Sequence, residues 1–213
     1  MNQFLSIFLP LLLISFGLHV RGQSAGGGAN QTRIAVRATV GKIYVTNGQV
    51  WGSWSSQQMC PTGTYATGFS LKVQSYQGLG PDDSALNGIA LRCTPPRTTT
   101  SPITGYSTIN SATGSFGSWM PDRWCPSGQL VAFQLRVQAY QGIFWDDTAA
   151  NNIRFKCTDG SVVEGDGTPW GEWGSWSQNC AGKGICGIYT SVEPFGWSWD
   201  YTALNDVQFF CCD

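Results

Sequence analysis

The sequence predicts an all-β protein in which three antiparallel sheets pack around a pseudo-threefold axis. The same order of segments occurs three times, and the segments alternate apolar and polar residues without a helical period. Each copy has a Gly-x-Trp segment before one cysteine, then an acidic turn, an asparagine and a strand that ends in a second cysteine. The copies are Gly52-Ser53-Trp54, Gly117-Ser118-Trp119 and Gly174-Ser175-Trp176, followed by residues 82–87, 146–151 and 200–205.

The first 22 residues are predicted to be a cleaved signal peptide. The apolar run 4–18 is short for a membrane span and is followed by small residues up to Gly22. Residues 23–32 form a glycine-rich lead-in, where Asn30 begins the only N-glycosylation sequon. The rest is predicted to be one secreted all-β domain, 33–213, with repeats at about 33–96, 97–159 and 160–213.

Eight cysteines in a secreted chain predict a disulfide framework. Adjacent Cys211 and Cys212 should point to opposite faces of a strand and so serve two bridges. The swapped pairing, Cys180 with Cys212 and Cys186 with Cys211, stays open. Each repeated bridge is expected to staple one sheet from its core side. The predicted pairs are Cys60 with Cys93, Cys125 with Cys157, Cys180 with Cys211, and Cys186 with Cys212.

The composition excludes several partners. Without the leader the chain has 12 − 1 = 11 basic residues against 13 acidic ones, and it contains no basic run. Nucleic acid and membranes are therefore not expected partners. Zinc is disfavoured because no Cys-x-x-Cys exists and the only histidine, His19, lies in the leader. No metal or cofactor is expected.

The strand patterns predict which residues face the axis. Tryptophan and phenylalanine are expected to fill the axial core. Near the start, segments 33–40 and 42–46 are predicted strands, and Asn47-Gly48 favours a hairpin. Residues 94–102 are rich in proline and threonine and are predicted to be a loop insertion. The predicted core positions are Phe69, Leu71, Val73, Ile89, Leu91 and Cys93; Phe133, Leu135, Val137, Ile153, Phe155 and Cys157; and Ile188, Thr190, Val192, Val207, Phe209 and Cys211.

These motifs, with the strand ends Tyr76-Gln77-Gly78 and Tyr140-Gln141-Gly142, resemble the vitelline membrane outer layer protein family over essentially the whole mature chain. The resemblance implies that the domain 33–213 is a secreted β-prism of three Greek-key sheets, associated with egg coats and other epithelial secretions. It also implies a link to N-acetylglucosamine oligomers. The third copy departs from the pattern, with Tyr201 for the second aspartate and Glu193-Pro194-Phe195-Gly196 where Tyr-Gln-Gly would stand.

Carboxylates are the only general bases that the mature chain offers. It has no histidine, and bridged cysteines leave no thiol nucleophile. Asp82-Asp83 and Asp146-Asp147 do not form a unique site, because a catalytic pair is needed once whereas these turns recur. Turn formation is therefore the preferred interpretation of the aspartates. Calcium binding lacks the usual dense spacing of oxygen ligands.

Acids and aromatic residues that lie side by side are the candidates for glycan binding, since an aromatic ring can stack on a sugar while acids bond its hydroxyl groups. Burial in the core is the alternative for any single tryptophan. The candidates are Asp82, Asp83, Asp146, Asp147 and Asp200 in the turns, with Trp145, Glu172, Glu193, Trp197 and Trp199.

Two functional hypotheses follow from the sequence. The first is a secreted structural protein of an egg coat or mucous secretion, lectin-like towards extracellular glycans or glycoproteins with N-acetylglucosamine. The second is a carboxylate-dependent enzyme acting on chito-oligosaccharides. The repeated, bridged scaffold without a singular acid pair favours the first.

Overall fold

A computed structural model describes residues 37–75, 84–97, 102–139, 149–193 and 202–213. These residues form strands and no helix, so none of them belongs to a helix able to cross a membrane. The strands are β1 (Gly41–Ile43), β2 (Ser53–Trp54), β3 (Gln58–Met59), β4 (Tyr65–Val73), β5 (Leu86–Thr94), β6 (Ser107–Asn110), β7 (Ser118–Trp119), β8 (Arg123–Trp124), β9 (Leu130–Val137), β10 (Ala150–Cys157), β11 (Val162–Glu164), β12 (Glu172–Trp173), β13 (Gly184–Val192) and β14 (Leu204–Cys212).

The strands pair in three antiparallel sheets. Sheet I has the order β6-β5-β4-β7, with β8 also paired to β4; sheet II has the order β11-β10-β9-β12. Sheet III has the order β1-β14-β13-β2, with β3 also paired to β13. In sheets I and II three strands follow one another and the fourth returns beside the first, which is a Greek key. Sheet III has the same spatial arrangement, but its outer strands β1 and β2 precede β13 and β14 in the chain. The predicted β-prism of three such sheets is confirmed.

Each Gly-x-Trp strand pairs with the long strand of the sheet before it. β7 pairs with β4, and β12 pairs with β9. β2 comes early in the chain and pairs with β13, placing Ser53 opposite Val192. Sheet III therefore combines strands from the two ends of the described chain, and this pairing closes the prism.

Four phenylalanine rings from the three sheets meet in the core. Phe155 lies 4.7 Å from Phe69, 6.2 Å from Phe133 and 5.2 Å from Phe209, measured between ring centroids. All four side chains are fully buried. The alternation predicted for the long and closing strands is confirmed at these positions, because every second residue faces the axis.

The four predicted disulfides are all present, and all eight cysteines are bridged. Cys211 belongs to the main core cluster, whereas Cys212 packs with Tyr65, Cys186 and Phe210 in a separate cluster. The prediction that adjacent cysteines serve opposite faces is confirmed.

The expectation of one staple for each sheet is wrong. Cys125 follows β8 and its N–H donates to Thr67 of sheet I, while its partner Cys157 ends a strand of sheet II. The other two repeated bridges likewise join sheet II to III and sheet III to I, since Cys180 donates to Val131 and Cys60 to Cys186. The physical reason is the crossing of each Gly-x-Trp segment into the neighbouring sheet. Only the Cys186–Cys212 bridge joins two strands of one sheet.

The predicted Asn47-Gly48 hairpin is also wrong. β1 and β2 lie on opposite sides of the β13–β14 pair, so the segment between them crosses the end of the prism. The Asn47 amide donates to the carbonyl of Leu135 in sheet II at 2.9 Å. Of the predicted strand 33–40, residues 33–36 lie outside the described residues and residues 37–40 are not in a strand. β5 ends at Thr94 and β6 begins at Ser107, as the predicted insertion requires.

Candidate functional site

The three Gly-x-aromatic edges depend on glycine. Gly52, Gly117 and Gly171 have φ of 80°, 83° and 74°, a region that favours glycine. A Cβ at Gly171 would lie 2.2 Å from the carbonyl oxygen of Val137, and the other two glycines meet the backbone of the equivalent valines as closely. Each glycine therefore lets a short strand turn tightly onto the end of a long one.

The third copy of this edge is not the one expected from the sequence. Trp54 pairs with Ser191 and Trp119 with Lys72, and the residue at the same register in sheet II is Trp173, opposite Arg136. The equivalent segment is therefore Gly171-Glu172-Trp173, and not Gly174-Ser175-Trp176. A positive φ identifies the correct glycine, and the sequence does not show it.

The described tryptophans all lie at the surface. For these tryptophans the expectation that they fill the core with phenylalanine is wrong, because an indole N–H needs a polar partner that a fully apolar core does not supply. Rings on the outside are available for contact with other molecules. Exposed indoles are Trp51, Trp54, Trp119 and Trp170, and partly buried ones are Trp124, Trp173 and Trp176.

The outer face of sheet II carries two tryptophans interleaved with cations. The Arg154 guanidinium lies 4.4 Å from the centroid of the Trp173 ring and 5.7 Å from that of Trp176. Arg136 lies 5.9 Å from Trp173 on one side, and the Lys156 ammonium lies 5.1 Å from Trp176 on the other. Such cation–π contacts orient aromatic rings at a surface without burying them. We call these five residues the tryptophan–cation face.

Hydrogen bonds hold the arginines of this face in place. Arg154 donates through Nε to Gln134 Oε1 at 2.7 Å, and Gln134 donates through Nε2 to the carbonyl of Gly174 at 2.6 Å. Arg136 donates through Nε to the carbonyl of Gly171 at 2.9 Å. The segment that carries the tryptophans is therefore bonded to the strands that carry the cations, and the face is preorganised.

The outer face of sheet III is aromatic in a different way. The Trp54 ring stacks on Tyr189, with centroids 4.3 Å apart and planes at 29°. Phe210 lies beside Tyr189 at 5.9 Å, and the Lys42 ammonium approaches both rings at 5.4 and 5.6 Å. Phe210 is buried, so the aromatic surface that this face presents is the stacked pair of Trp54 and Tyr189.

The outer face of sheet I is dominated by an ion pair. Arg92 contacts Asp122 at 2.7 Å and lies 5.6 Å from the Tyr106 ring, which packs edge-on against Trp124 at 5.2 Å. Tyr106, Asp122 and Trp124 border a depression of about 470 Å³. The neighbouring Arg123 forms an ion pair with Asp166. The two charged residues just before Trp124, Asp122 and Arg123, are therefore both paired within the protein.

The two described acidic candidates have separate positions. Glu172 is exposed on β12 and pairs with Val137, so its side chain points to the opposite face from Trp173. Glu193 instead accepts hydrogen bonds from the N–H and hydroxyl of Thr202, at 3.3 and 2.5 Å. The structure does not bring them together as a pair, and Glu193 has a role in the turn.

Glu193 is equivalent to a glutamine in the first copy. Gln74 Oε1 accepts hydrogen bonds from the N–H and hydroxyl of Ser84 at 3.3 and 2.5 Å. The backbone N–H of Gln74 donates to the carbonyl of Ala85, and that of Glu193 donates to the carbonyl of Ala203 in the equivalent turn. Glu193 therefore corresponds to Gln74, which lies two residues before Tyr76, and not to a residue of the Tyr-Gln-Gly segment. The hydrogen bonds show this equivalence, although the two residues differ in type.

The asparagine of each turn is structural. Asn87 and Asn205 are fully buried, and each donates through Nδ2 to the hydroxyl of the residue three positions earlier, at 2.8 and 2.9 Å. Each turn contains an alanine between the hydroxyl residue and the asparagine, and these alanines, Ala85 and Ala203, have φ of 44° and 49°. The amide supports a strained turn, whereas the aspartates that the sequence assigns to turn formation lie outside the described residues.

One carboxylate has an unusual titration. Burial raises the pKa of Asp206 to about 6, although a hydrogen bond from the Val207 N–H at 2.7 Å lowers it. The corresponding residue of sheet II is Asn152, whose Oδ1 accepts from Ile153 and whose Nδ2 donates to the Gly165 carbonyl. A neutral side chain therefore suits this position.

Most sequence-predicted candidates lie outside the described residues. The same holds for the sequon at Asn30 and for the signal peptide. Among the described residues, no group of three or more His, Cys, Asp or Glu side chains could hold a metal ion. The candidates outside the described part are Asp82, Asp83, Trp145, Asp146, Asp147, Trp197, Trp199 and Asp200.

The described surface is suited to recognition of a ligand with both apolar and hydroxyl groups. Indole rings provide flat apolar areas, and the arginine and glutamine groups beside them provide donors and acceptors. The sequence does not identify Arg136, Arg154 or Lys156, because they lie on strands far from the tryptophans along the chain. Their alternation with core residues on β9 and β10 is the signal that places them on the outer face.

The chain matches the model of the family described as vitelline membrane outer layer protein I over residues 42–213. It is 46% identical over 171 residues to a mouse protein named vitelline membrane outer layer protein 1 homolog, an alignment that covers 80% of this chain and 82% of the mouse protein. The human protein of that name has the same identity and coverage.

Two solved structures are similar at low sequence identity. The second β-prism domain of RbmC from V. cholerae has a TM-score of 0.41 and 14% identity, over 79% of this chain and 98% of that domain. Single-chain recombinant jacalin has a TM-score of 0.43 and 13% identity, over 85% of this chain and 98% of that one. Because these TM-scores are low, the fold assignment rests on the sheet topology.

Proposed function

This chain belongs to the vitelline membrane outer layer protein I family, and we propose that it is a secreted, non-catalytic structural protein of an egg coat or mucous secretion that binds glycans. Four disulfides support an oxidising, extracellular environment. The names of the mouse and human relatives support the coat assignment.

The observation that carries the binding proposal is the tryptophan–cation face of sheet II. Trp173, on β12, and Trp176, three residues later in the same segment, are held between three cations. Their stacking partners are fixed by hydrogen bonds, so little side-chain entropy is lost when a ligand binds. A sugar ring would lie with its apolar face against an indole and its hydroxyl groups towards the polar side chains.

We propose glycans with N-acetylglucosamine as the ligands and expect each contact to be weak. Repeated weak contacts become strong on a polymer, because linked sites turn later binding steps into intramolecular ones. Long chito-oligosaccharides and mucin-type polymers should therefore bind more tightly than monosaccharides. Salt should have little effect, since stacking rather than ion pairing supplies the affinity.

The test compares two tryptophans at the same register of different sheets. Trp173→Ala should weaken binding of the mature protein to immobilised chito-oligosaccharides about tenfold, equivalent to about 1.4 kcal/mol. Trp119→Ala is the matched control, because Trp119 occupies the equivalent strand of sheet I and should change binding little. Equal losses in both variants, or none in either, would exclude the sheet II face as the binding site.

The turn aspartates are proposed to stabilise the fold rather than to act on glycans. Asp83→Ala and Asp147→Ala should lower the melting temperature more than they change glycan binding, with a typical loss of about 1–2 kcal/mol. A hydrolysis assay on chito-oligosaccharides is run in parallel. Turnover in proportion to protein, abolished by Glu172→Gln or Asp146→Asn, would replace the binding proposal with the enzymatic one.

A further inference from the structure

We propose that Trp170 and Trp51 are modified by C-mannosylation, in which a mannose is attached directly to carbon 2 of the indole ring. Both residues are followed three positions later by a second tryptophan, in Trp170-Gly171-Glu172-Trp173 and Trp51-Gly52-Ser53-Trp54. Trp-x-x-Trp is the general acceptor sequence for this modification in the secretory pathway. The two segments are structurally equivalent, and the third member of the set is Phe116-Gly117-Ser118-Trp119, which has no acceptor.

The folded protein has room for the sugar at both positions. The exposed fractions are 46% for Trp170 and 53% for Trp51, so neither ring is enclosed by the core. Each tryptophan directly precedes a glycine with φ near +80°, which turns the chain away after the ring. Trp173 also begins a Trp-x-x-Trp segment, but its ring lies against Arg154 at 4.4 Å. We therefore assign the sugars to the two exposed indoles.

A mannose on each indole would make these sheet edges more polar and less prone to aggregation. β2 and β12 are edge strands among the described ones, and the indoles next to them expose apolar surface. Exposed apolar edges favour association with other chains. A hexose on the indole covers part of that surface with hydroxyl groups, which reduces the tendency to aggregate.

The chemistry is an aromatic substitution with a lipid-linked phosphomannose as donor. Carbon 2 of the indole forms a bond with the anomeric carbon of mannose, and the bond from that carbon to the phosphate oxygen breaks. The electron pair of the broken bond leaves with the polyisoprenyl phosphate, and the proton on carbon 2 is released to a base of the transferase. No oxidant or reductant is needed.

The inference rests on the proposed secretion, because the modification takes place in the endoplasmic reticulum. The chain is therefore expressed in animal cells with its own first 22 residues and, in parallel, with an unrelated cleavable leader. Failure to appear in the medium with its own leader alone would reject the signal-peptide prediction. The unrelated leader still delivers the chain to the transferase, so the two proposals are tested separately.

Peptide mass spectrometry of the secreted protein should show one added hexose on Trp170 and one on Trp51. Fragmentation should give the cross-ring loss of a C-linked hexose, whereas an O-linked sugar would be lost whole. Trp173→Phe should abolish the sugar on Trp170, and Trp54→Phe should abolish it on Trp51. Trp124→Phe lies outside any Trp-x-x-Trp segment and should change neither.

The phenylalanine copy provides a gain-of-function test. Phe116→Trp creates Trp-x-x-Trp in sheet I, and the new residue should acquire a hexose in cells that contain the transferase and none in cells that lack it. Unmodified Trp51 and Trp170 in cells that modify a co-expressed Trp-x-x-Trp reporter would overturn the proposal. So would hexose that persists in cells without the transferase.

Discussion

The inner and outer faces of the prism both carry aromatic side chains, but of different kinds. Phe69, Phe133, Phe155 and Phe209 are fully buried, whereas the described tryptophans are exposed or partly buried. Phenylalanine has no polar atom and can be enclosed completely, but an indole N–H is better placed where water or a polar group can reach it. The inner rings therefore specify the fold, and the outer rings are available for recognition and modification.

The largest expected effect tests the inner set. Phe155→Ala removes the ring that contacts phenylalanines from all three sheets, so it should lower the free energy of unfolding by about 3–5 kcal/mol. Denaturant titration measures the loss, and Phe155→Leu is the control with a smaller expected effect. A loss below about 1 kcal/mol for the alanine variant would mean that the axial core does not hold the sheets together.

The disulfides extend the comparison between the two faces. Cys125–Cys157 lies in the main core and joins two sheets, while Cys186–Cys212 lies in the second cluster within one sheet. Replacing the first pair by alanine should cost about 3–4 kcal/mol from chain entropy. The second pair spans a similar separation and should cost no more. A larger loss from the second pair, measured by thermal unfolding, would contradict the importance of the links between sheets.

Asp206 is a carboxylate that is largely buried, unlike the aromatic residues of the two faces. Its pKa in the folded protein, about 6, exceeds the ordinary value of 3.8, so folding favours the protonated form. Its contribution to stability is therefore complete below about pH 4 and is lost as the pH rises to about 6. Asp206→Asn should remove this pH dependence and raise stability at pH 7 by on the order of 1–2 kcal/mol, after allowance for partial solvent screening.

The control for Asp206 has the opposite sign. A hydrogen bond from the Ser161 hydroxyl lowers the pKa of Asp159, so its contribution is present at neutral pH and is lost in acid. Unfolding of Asp206→Asn and Asp159→Asn is followed between pH 3 and pH 7. A slope between pH 4 and 6 that persists in Asp206→Asn would show that another group titrates there.

The smallest effect on stability is expected on the outer face. Trp173→Ala removes a partly buried ring and its contact with Arg154, a cation–π interaction worth about 0.5–1 kcal/mol at a surface. Thermal unfolding should therefore change little while glycan binding falls. A loss above about 3 kcal/mol would show that the outer tryptophans support the fold as the inner phenylalanines do.

The sequence predicts the architecture well because strands and disulfides produce regular patterns in the sequence. Alternation identifies core residues such as Leu71 and Ile153, and regular spacing identifies the cysteine pairs. The exchange of short strands between sheets produces no recognisable sequence pattern, since β7 has the same residues whether it pairs with β4 or with a strand of its own repeat. One staple for each sheet is therefore a reasonable but wrong expectation.

The candidate face is predicted only in part. The Trp-Gly-Glu-Trp segment indicates Glu172, but Glu172 and Trp173 are adjacent on β12 and point to opposite faces, and Trp173 is the one that contacts Arg154. The cations on that face come from Arg136 and Arg154, which are brought there by strand register rather than by nearness in sequence. Gly171 and Gly174 look alike in sequence, and only the positive φ of Gly171 distinguishes them. Long-range pairing is the information that local patterns lack.

Sheet III also sets the order in which the protein can be completed during synthesis. Its early strand is bonded to residues far along the chain: Ser191 donates to the Trp51 carbonyl across a separation of 140 residues. At ribosomal rates of about 5–20 residues per second, β2 waits roughly 7–30 s for its partner. Sheets I and II can assemble from contiguous chain in the meantime. The nascent protein therefore passes through a stage with two sheets, whose open side exposes core residues and is where chaperones would be expected to bind.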